Sequence, residues 1–529
     1  MGKIKYKKLI SNLLVVLLYF LINLFSLYAE AQVNLTIEDA VKNVLENNLT
    51  VKNAKMEIAK SDSPTFKNSS KYVWKIIGDV NVFQNVLPIN NTTIFSGNRI
   101  SQDKISAAIE KQFEAGTYLN IEGSSTRFDS SAFEGTISYL NPAFSRLAIA
   151  PIYTSALTLK ISQEVWKYSF GKVNRNTEKI LRVKAKIDRD QLVFLLTNLV
   201  TKTLIDYWAL SIQESSVLAL QKLLKNAIFI KDITIRKRNL GLSEPYEVNL
   251  WNGVVSNLES QLEKAKTDRE IANRDLKRIL SVDSKIEISG VTDLNETIPL
   301  NINLENDLQY ALDNRVDLKI IRRSIESGKL IQENAEEEDN PSIKLTGTYS
   351  TRAQTLYSPI ENFYLNNSYG IATFKYPETR GEVAIAYPLW DEGIKETIRE
   401  SKVNLAQLKQ REKDLIKEIE TEVKNRHDAI FVSHKNLEIS KKNFIEVDKY
   451  YKGITEKFSQ GRYTAANLKN ALDTLAQSEL GVIQNRVNFN INLIRYELVK
   501  NSLFEKYGID SESIVNEIVK KSNDSLNGK

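Results

Sequence analysis

Apolar residues recur along this chain with two different periods, and the alternation between them sketches the architecture. In residues 35–52, LTIEDAVKNVLENNLTVK, the positions Ile37, Val41 and Leu45 recur four apart, which places them on one face of a helix. Residues 302–319, INLENDLQYALDNRVDLK, repeat the pattern at Leu304, Leu308 and Leu312. The two stretches align without gaps, with Glu38 on Glu305, Asn47 on Asn314, Val51 on Leu318 and Lys52 on Lys319. A second correspondence sets ISQEVWKYSFGK (161–172) beside AYPLWDEGIK (386–395), with Val165-Trp166 on Leu389-Trp390 and Gly171 on Gly393. A third sets Asn239-Leu240-Gly241-Leu242 beside Ser459-Gln460-Gly461-Arg462. Three matches in one order predict an internal tandem duplication. The predicted boundaries are a first repeat over 32–281, a linker over 282–300, a second repeat over 301–510 and a tail over 511–529.

Each repeat then predicts an amphipathic helix, a β-hairpin, a very long helix, a tight turn and a second helix. Proline is absent between Pro151 and Pro245 and again after Pro388, so nothing interrupts a helix in those tracts. A helix from Gly171 to Gly241 spans about 105 Å and one from Gly393 to Gly461 about 102 Å, at 1.5 Å per residue. Their apolar stripes, such as Leu195-Leu199-Ile205 and Leu405-Leu408-Leu415-Ile419, require lateral partners, as in a coiled coil. Gly241 and Gly461 are expected to end one helix and open the next, because glycine adopts positive φ freely.

Period two marks the strands. Leu157, Leu159 and Ile161 alternate with Thr158, Lys160 and Ser162, and Ile343, Leu345 and Tyr349 with Lys344, Thr346 and Thr348. Val383, Ile385 and Tyr387 alternate with Ala384 and Ala386, and a weaker strand is predicted over Thr117–Thr126. Polar stretches follow the strands at Arg127–Tyr153 and Arg352–Arg380. The second is rich in aromatics: Tyr357, Phe363, Tyr364, Tyr369, Phe374 and Tyr376. Long loops and interfacial aromatics suit an outer-membrane barrel. Four strands cannot close one, and an open edge is not tolerated in lipid, so several chains must share the wall. Two copies give eight strands and three give twelve. The stretch Pro64–Gly116 has no assigned element.

Charge and composition narrow the function. Lys3, Lys5, Lys7 and Lys8 precede an apolar run from Leu13 to Leu27 and then Ala29-Glu30-Ala31, which reads as a signal peptide over 1–31. Much of the formal charge of +6 belongs to that leader, and no basic block stands out beyond it, so no nucleic-acid partner is expected. Cysteine is absent, which excludes disulfides, zinc-thiolate sites and thiol nucleophiles. His427 and His434 lie about 10.5 Å apart along a helix, too far for one metal, and read as solvated helix residues. The run Glu336-Glu337-Glu338-Asp339 reads as a solvated helix end, with a cation-attracting patch as the alternative. No phosphate loop, zinc spacing or catalytic triad is present, so no enzymatic activity, cofactor or metal is expected.

The chain resembles the TolC-like outer-membrane efflux protein family. The motifs that carry this are LTIEDAVKNVLENN (35–48), LENDLQYALDNRVDL (304–318), LTLKISQEVWKYSFGK (157–172), VAIAYPLWDEG (383–393), NLGLSEPYEV (239–248) and SQGRYTAANL (459–468). One departure is Val316, where the family commonly has proline. The resemblance implies an α+β membrane protein: a homotrimer with a twelve-stranded outer-membrane β-barrel, four strands per chain, continued by a long α-helical periplasmic barrel. It implies passive conduction to the exterior from a periplasmic adaptor protein and an inner-membrane pump, in efflux or type I secretion. The turns at Gly241, Leu242, Ser243 and at Gly461, Arg462, Tyr463 would then form the periplasmic tip that meets the adaptor. Glu247, Asn467 and Asn470 would be candidates for the pore constriction, with asparagines where relatives carry acidic residues. The competing reading is a periplasmic or surface coiled-coil structural protein without a channel, which leaves the amphipathic hairpins without a purpose. The exported substrate is not legible in the sequence.

Overall fold

The computed structural model describes residues 32–88, 97–133, 143, 146–147, 151–283, 286–290, 294–300, 302–355, 371 and 374–527. The signal-peptide expectation over 1–31 and the loop aromatics Tyr357, Phe363, Tyr364 and Tyr369 lie outside the described residues. The chain divides into a helical unit (Met1–Lys60, Asp188–Ile320, Glu412–Lys529) and a sheet unit (Ser61–Ile187, Ile321–Arg411).

In the helical unit, strand β1 (Gln32–Leu35) pairs in parallel with β6 (Glu287–Gly290). Helices α1 (Ile37–Asn47) and α2 (Leu49–Ala59) follow β1. Thr36 caps α1 by accepting the Asp39 N–H at 3.1 Å, and Asn48 caps α2 by accepting from Thr50 and Val51. The periodic stretch expected as one helix is therefore two. Asn48 breaks it because its amide both caps α2 and donates to the Ile279 carbonyl at 2.6 Å. The second stretch breaks at the aligned residue: α6 (Leu304–Asn314) ends at Arg315, before α7 (Val316–Glu337). Arg315 is held there by Asp317 at 2.6 Å and Glu422 at 2.8 Å.

After the short helix α3 (Ser63–Ser69), the long helices are α4 (Lys172–Asn239) and α8 (Glu392–Ser459), of 68 residues each. Each is followed by a helix of 36 residues, α5 (Pro245–Leu280) and α9 (Ala465–Lys500). Three apolar clusters hold the helical unit. One packs α1 against Leu196, Val200 and Leu204 of α4 and Leu276 and Leu280 of α5. A second joins Ala311 and Leu318 to Ile419, Val423 and Ile430 of α8 and Phe489 and Leu493 of α9. The third draws on all four long helices near their turns, around Trp251, Leu223, Phe458 and Leu468. In α4 the buried stripe is Leu192, Leu196, Val200 and Leu204, while Leu195, Leu199 and Ile205 are half-buried.

The sheet unit differs from expectation in strand number. Six antiparallel strands form one sheet: β2 (Lys75–Val86), β3 (Arg99–Gln112), β4 (Thr117–Ser130), β5 (Ile152–Glu164), β7 (Ser342–Thr355) and β8 (Pro377–Ala386), in that spatial order. The four expected strands are β4, β5, β7 and β8. The stretch without an assigned element supplies the other two, so the count of four strands per chain is corrected. Their alternation is blurred because Ile77 and Phe83 fall on the otherwise polar face of β2, while Asp103 and Lys111 interrupt the apolar face of β3.

Two expectations about charged and polar helix residues are also corrected. His427 packs its ring on Phe431 (centroids 4.9 Å apart) and Tyr496 (6.3 Å), and His434 packs on Phe489 (5.3 Å), so both are half-buried rather than fully solvated. The acidic run is a clasp: Glu336 pairs with Lys402 at 3.2 Å, Glu337 with Lys172, and Glu338 with Lys167 at 2.9 Å. Tyr168 adds a hydrogen bond to Glu338 at 2.5 Å. These cations come from distant segments, so a charge run read alone looks unpartnered.

Candidate functional site: the two-faced sheet and the helix turns

The strand register sorts every side chain of the sheet onto one of two faces, because cross-strand partners point the same way. One row across the first face reads Ile76, Ile109, Ile121, Leu159, Tyr349 and Thr379. Neighbouring rows add Val80 with Ile105, Leu119 with Ile161, and Leu345 with Val383. These apolar side chains are exposed in the single chain, from Tyr349 at 37% to Ile76 at 82%, apart from Leu119, which is half-buried. A continuous exposed apolar face of this extent marks contact with lipid or protein.

The opposite face is polar. Its rows read Lys75, Glu110, Asn120, Lys160, Thr348, Arg380, and then Asp79, Ser106, Ser124, Ala156, Arg352. Its members satisfy one another along the sheet. Lys104 pairs with Glu122 at 2.7 Å, Thr158 with Ser350 at 3.0 Å, and Ser162 with Thr346 at 3.1 Å. One apolar and one polar face is the signature of a barrel wall between lipid and water. Both edge strands, β2 and β8, are exposed along their lengths, and among the described residues no strand pairs with the outer backbone groups of either. Among the described residues no helix is long and apolar enough to cross a membrane.

The helix turns are the second feature. Gly241 has φ +74° and Gly461 φ +79°, and at both a side chain would meet open space. Each turn closes with the same hydrogen bonds. Gly241 N–H reaches the Arg238 carbonyl and Leu242 N–H that of Lys237; Gly461 N–H reaches Phe458 and Arg462 N–H reaches Lys457. This pair of bonds is the Schellman arrangement that a positive-φ residue permits. Leu242 is 72% exposed, and Arg462 and Tyr463 are exposed beside Gly461, while Ser243 is half-buried.

Glu247 links the two turns. It accepts from the Ser243 hydroxyl at 2.5 Å and from the Ala465 N–H at 3.3 Å, at the positive end of α9. Thr464 caps α9 and shares a 3.0 Å hydrogen bond with the Asn467 side chain. Asn467 and Asn470 are both exposed on α9. Lys237 is a residue that the sequence reading missed. It donates to the Phe458 carbonyl and lies 4.2 Å over that residue's ring. Burial pushes its ammonium pKa down, opposed by Glu247. No local signal announces Lys237, because its partner is far along the chain.

No protein-family model and no curated protein matches the sequence. Solved structures match it by shape. An outer membrane channel from Campylobacter jejuni, CmeC, superposes with a TM-score of 0.64 at 15% identity, covering 92% of this chain and 89% of that one. The outer membrane protein VceC of Vibrio cholerae gives 0.62 at 10% identity over 88% and 96% of the two chains. The open-state outer membrane channel MtrE of Neisseria gonorrhoeae gives 0.58 at 12% identity over 88% and 89%. The chain therefore has the fold of these channel subunits.

Proposed function

We propose that the chain is a subunit of an outer-membrane export channel of the TolC-like type. It offers a passive route from a periplasmic adaptor and an inner-membrane pump to the exterior. The observation that carries this reading is the sheet: an exposed apolar face, a hydrogen-bonded polar face, and two open edges on one wall. A wall with these properties is stable in lipid only when copies of the chain complete it and the polar face surrounds water. The shared fold with solved channels supports the same reading, and a homotrimer is the assembly it implies. The equal lengths of α4 and α8, and of α5 and α9, support a tandem duplication whose two halves pair side by side in the periplasm.

Within this reading, Gly241, Leu242, Ser243, Gly461, Arg462 and Tyr463 form the tip that touches the adaptor. Glu247, Asn467 and Asn470 are the constriction candidates. Glu247 supplies the carboxylate, already engaged by a hydroxyl and a helix N-terminus, while the asparagines supply neutral amides. Purified mature protein should run as a heat-modifiable trimer and give discrete conductance steps in planar bilayers. A stable, non-conducting monomer in detergent would overturn the proposal. Arg462→Glu should weaken crosslinking to the adaptor, and Asn467→Ala with Asn470→Ala should change conductance if they line the pore.

A further inference from the structure

We infer that the β2–β3 hairpin is wall rather than ornament, so that three chains close an eighteen-stranded barrel with a wider exit than twelve strands would make. The inference rests on the channel reading above. Three observations carry it. First, the hairpin continues both faces of the sheet in register. Ile76 and Ile109 extend the apolar row of Ile121, while Asp79 and Ser106 extend the polar row of Ser124. Apart from Ile77, Phe83 and Ile100, the large apolar residues of the hairpin lie on the lipid side, a bias that a plug or cap would have no reason to keep.

Second, parity permits closure. Six strands joined antiparallel leave β2 and β8 running in opposite directions. The first strand of one copy and the last of the next then meet antiparallel, as outer-membrane barrels require. Adding one hairpin preserves this; adding one strand would destroy it. Third, the edge of β4 that a twelve-stranded wall would offer to a neighbour is occupied by β3 along thirteen paired positions, from Ile100 with Ser130 to Gln112 with Tyr118. The free edge belongs to β2, every residue of which is exposed except half-buried Asn85.

Barrel diameter grows roughly linearly with strand number, so the outer exit is about half again as wide as a twelve-stranded one. The added lumen is lined by Asp79, Asn81, Lys104 and Ser106, giving the exit mixed charge. The exit is thereby suited to bulkier cargo.

The chain has no cysteine, so introduced ones are unambiguous. Single cysteines across residues 79–82 are combined with single cysteines across 380–383 in full-length protein in outer membranes, and joined with a short bifunctional maleimide. The expected result is a covalent ladder ending at three chains. A ladder formed instead between cysteines at 121–124 and those at 380–383 would mean that β4 is the wall edge, and would overturn the eighteen-stranded wall while leaving the channel standing. No ladder from either set, with monomers in detergent, would remove the channel reading itself. As a second measurement, deleting residues 75–112 should lower the radius of polymers admitted from the outer side by about a third, given the linear scaling. Assembled trimers with an unchanged cut-off would also overturn the inference.

Discussion

The two halves of this chain match in their helices and differ in their strands. Each half has a 68-residue helix followed by one of 36, yet the first half contributes four strands to the sheet and the second only two. The difference reflects what each structure must satisfy. Helices that lie side by side need equal lengths, because an overhang leaves an apolar stripe without a partner. A sheet can grow by any whole hairpin, since direction and faces are preserved. The halves also differ inside their cores. Ala40, Leu276 and Leu280 pack together in the first half, and all are buried. At the aligned places the second half has Asp307, Tyr496 and Lys500. Lys500 pairs with Asp307 at 3.3 Å, both side chains are about a tenth exposed, and the Tyr496 hydroxyl donates to Asp307 at 2.6 Å.

That substitution of polar for apolar packing gives the largest predicted effect. Lys500→Ala should cost about 3–5 kcal/mol, because it strands the buried Asp307 carboxylate, and Asp307→Ala should cost less, because Lys500 keeps its ion pair with Glu497 at 3.3 Å. Asp307→Ala with Tyr496→Leu and Lys500→Leu, which installs the first half's residues, should recover most of that loss. Guanidinium unfolding of the purified chain measures both, and a triple variant as weak as the single ones would show that the halves are not interchangeable here.

Gly171 and Gly393 sharpen the comparison next. Gly171 has φ +73°, and a Cβ on it would lie 1.7 Å from the Glu114 carbonyl oxygen, whereas one on Gly393 meets only a side-chain oxygen at 3.1 Å. Gly171→Ala should therefore cost at least about 1–3 kcal/mol of backbone strain, and Gly393→Ala should be close to neutral. Equal melting temperatures for the two variants would contradict this.

The helix turns should respond alike and more mildly. Gly241→Ala and Gly461→Ala each place a side chain at positive φ in open space, at a cost of about 1–2 kcal/mol. A large difference between them would break the equivalence of the turns.

The smallest effect is in acid. Although burial pushes the Glu338 carboxyl up, the hydrogen bonds from Tyr168 and Lys167 hold it below the usual carboxylate range. Hydrogen bonds from Gln332 and Lys402 lower Glu336 as well. A depressed folded-state value stabilises the fold above the ordinary pKa and ceases to do so as pH falls through the depressed one. The clasp should loosen below about pH 4, near the reference carboxylate value. Glu338→Gln should flatten that acid limb of the melting-temperature profile; an unchanged limb would show that other carboxylates set it.

Local pattern carried most of the helical architecture. The turn glycines, the Pro-free tracts and the paired motifs placed the two 68-residue helices to within a few residues, since helix periodicity and termination are properties of neighbouring residues. Four of six strands were legible for the same reason. β2 and β3 escaped because their alternation is imperfect, and only pairing with β4 assigns their faces. In the candidate site, Gly241 and Gly461 were readable, whereas Lys237 on Phe458 and Glu247 on Ala465 were not.

The sequence by itself thus determined the periods, the glycine turns that end the longest helices and the order of those helices, because those depend on residues a few positions apart. Tertiary structure alone decided the six-stranded sheet, the buried Asp307–Lys500 pair and the partners of the acidic run. Each of these joins segments far apart in the chain, and a residue's own neighbours say nothing about which distant charge or strand edge will satisfy it.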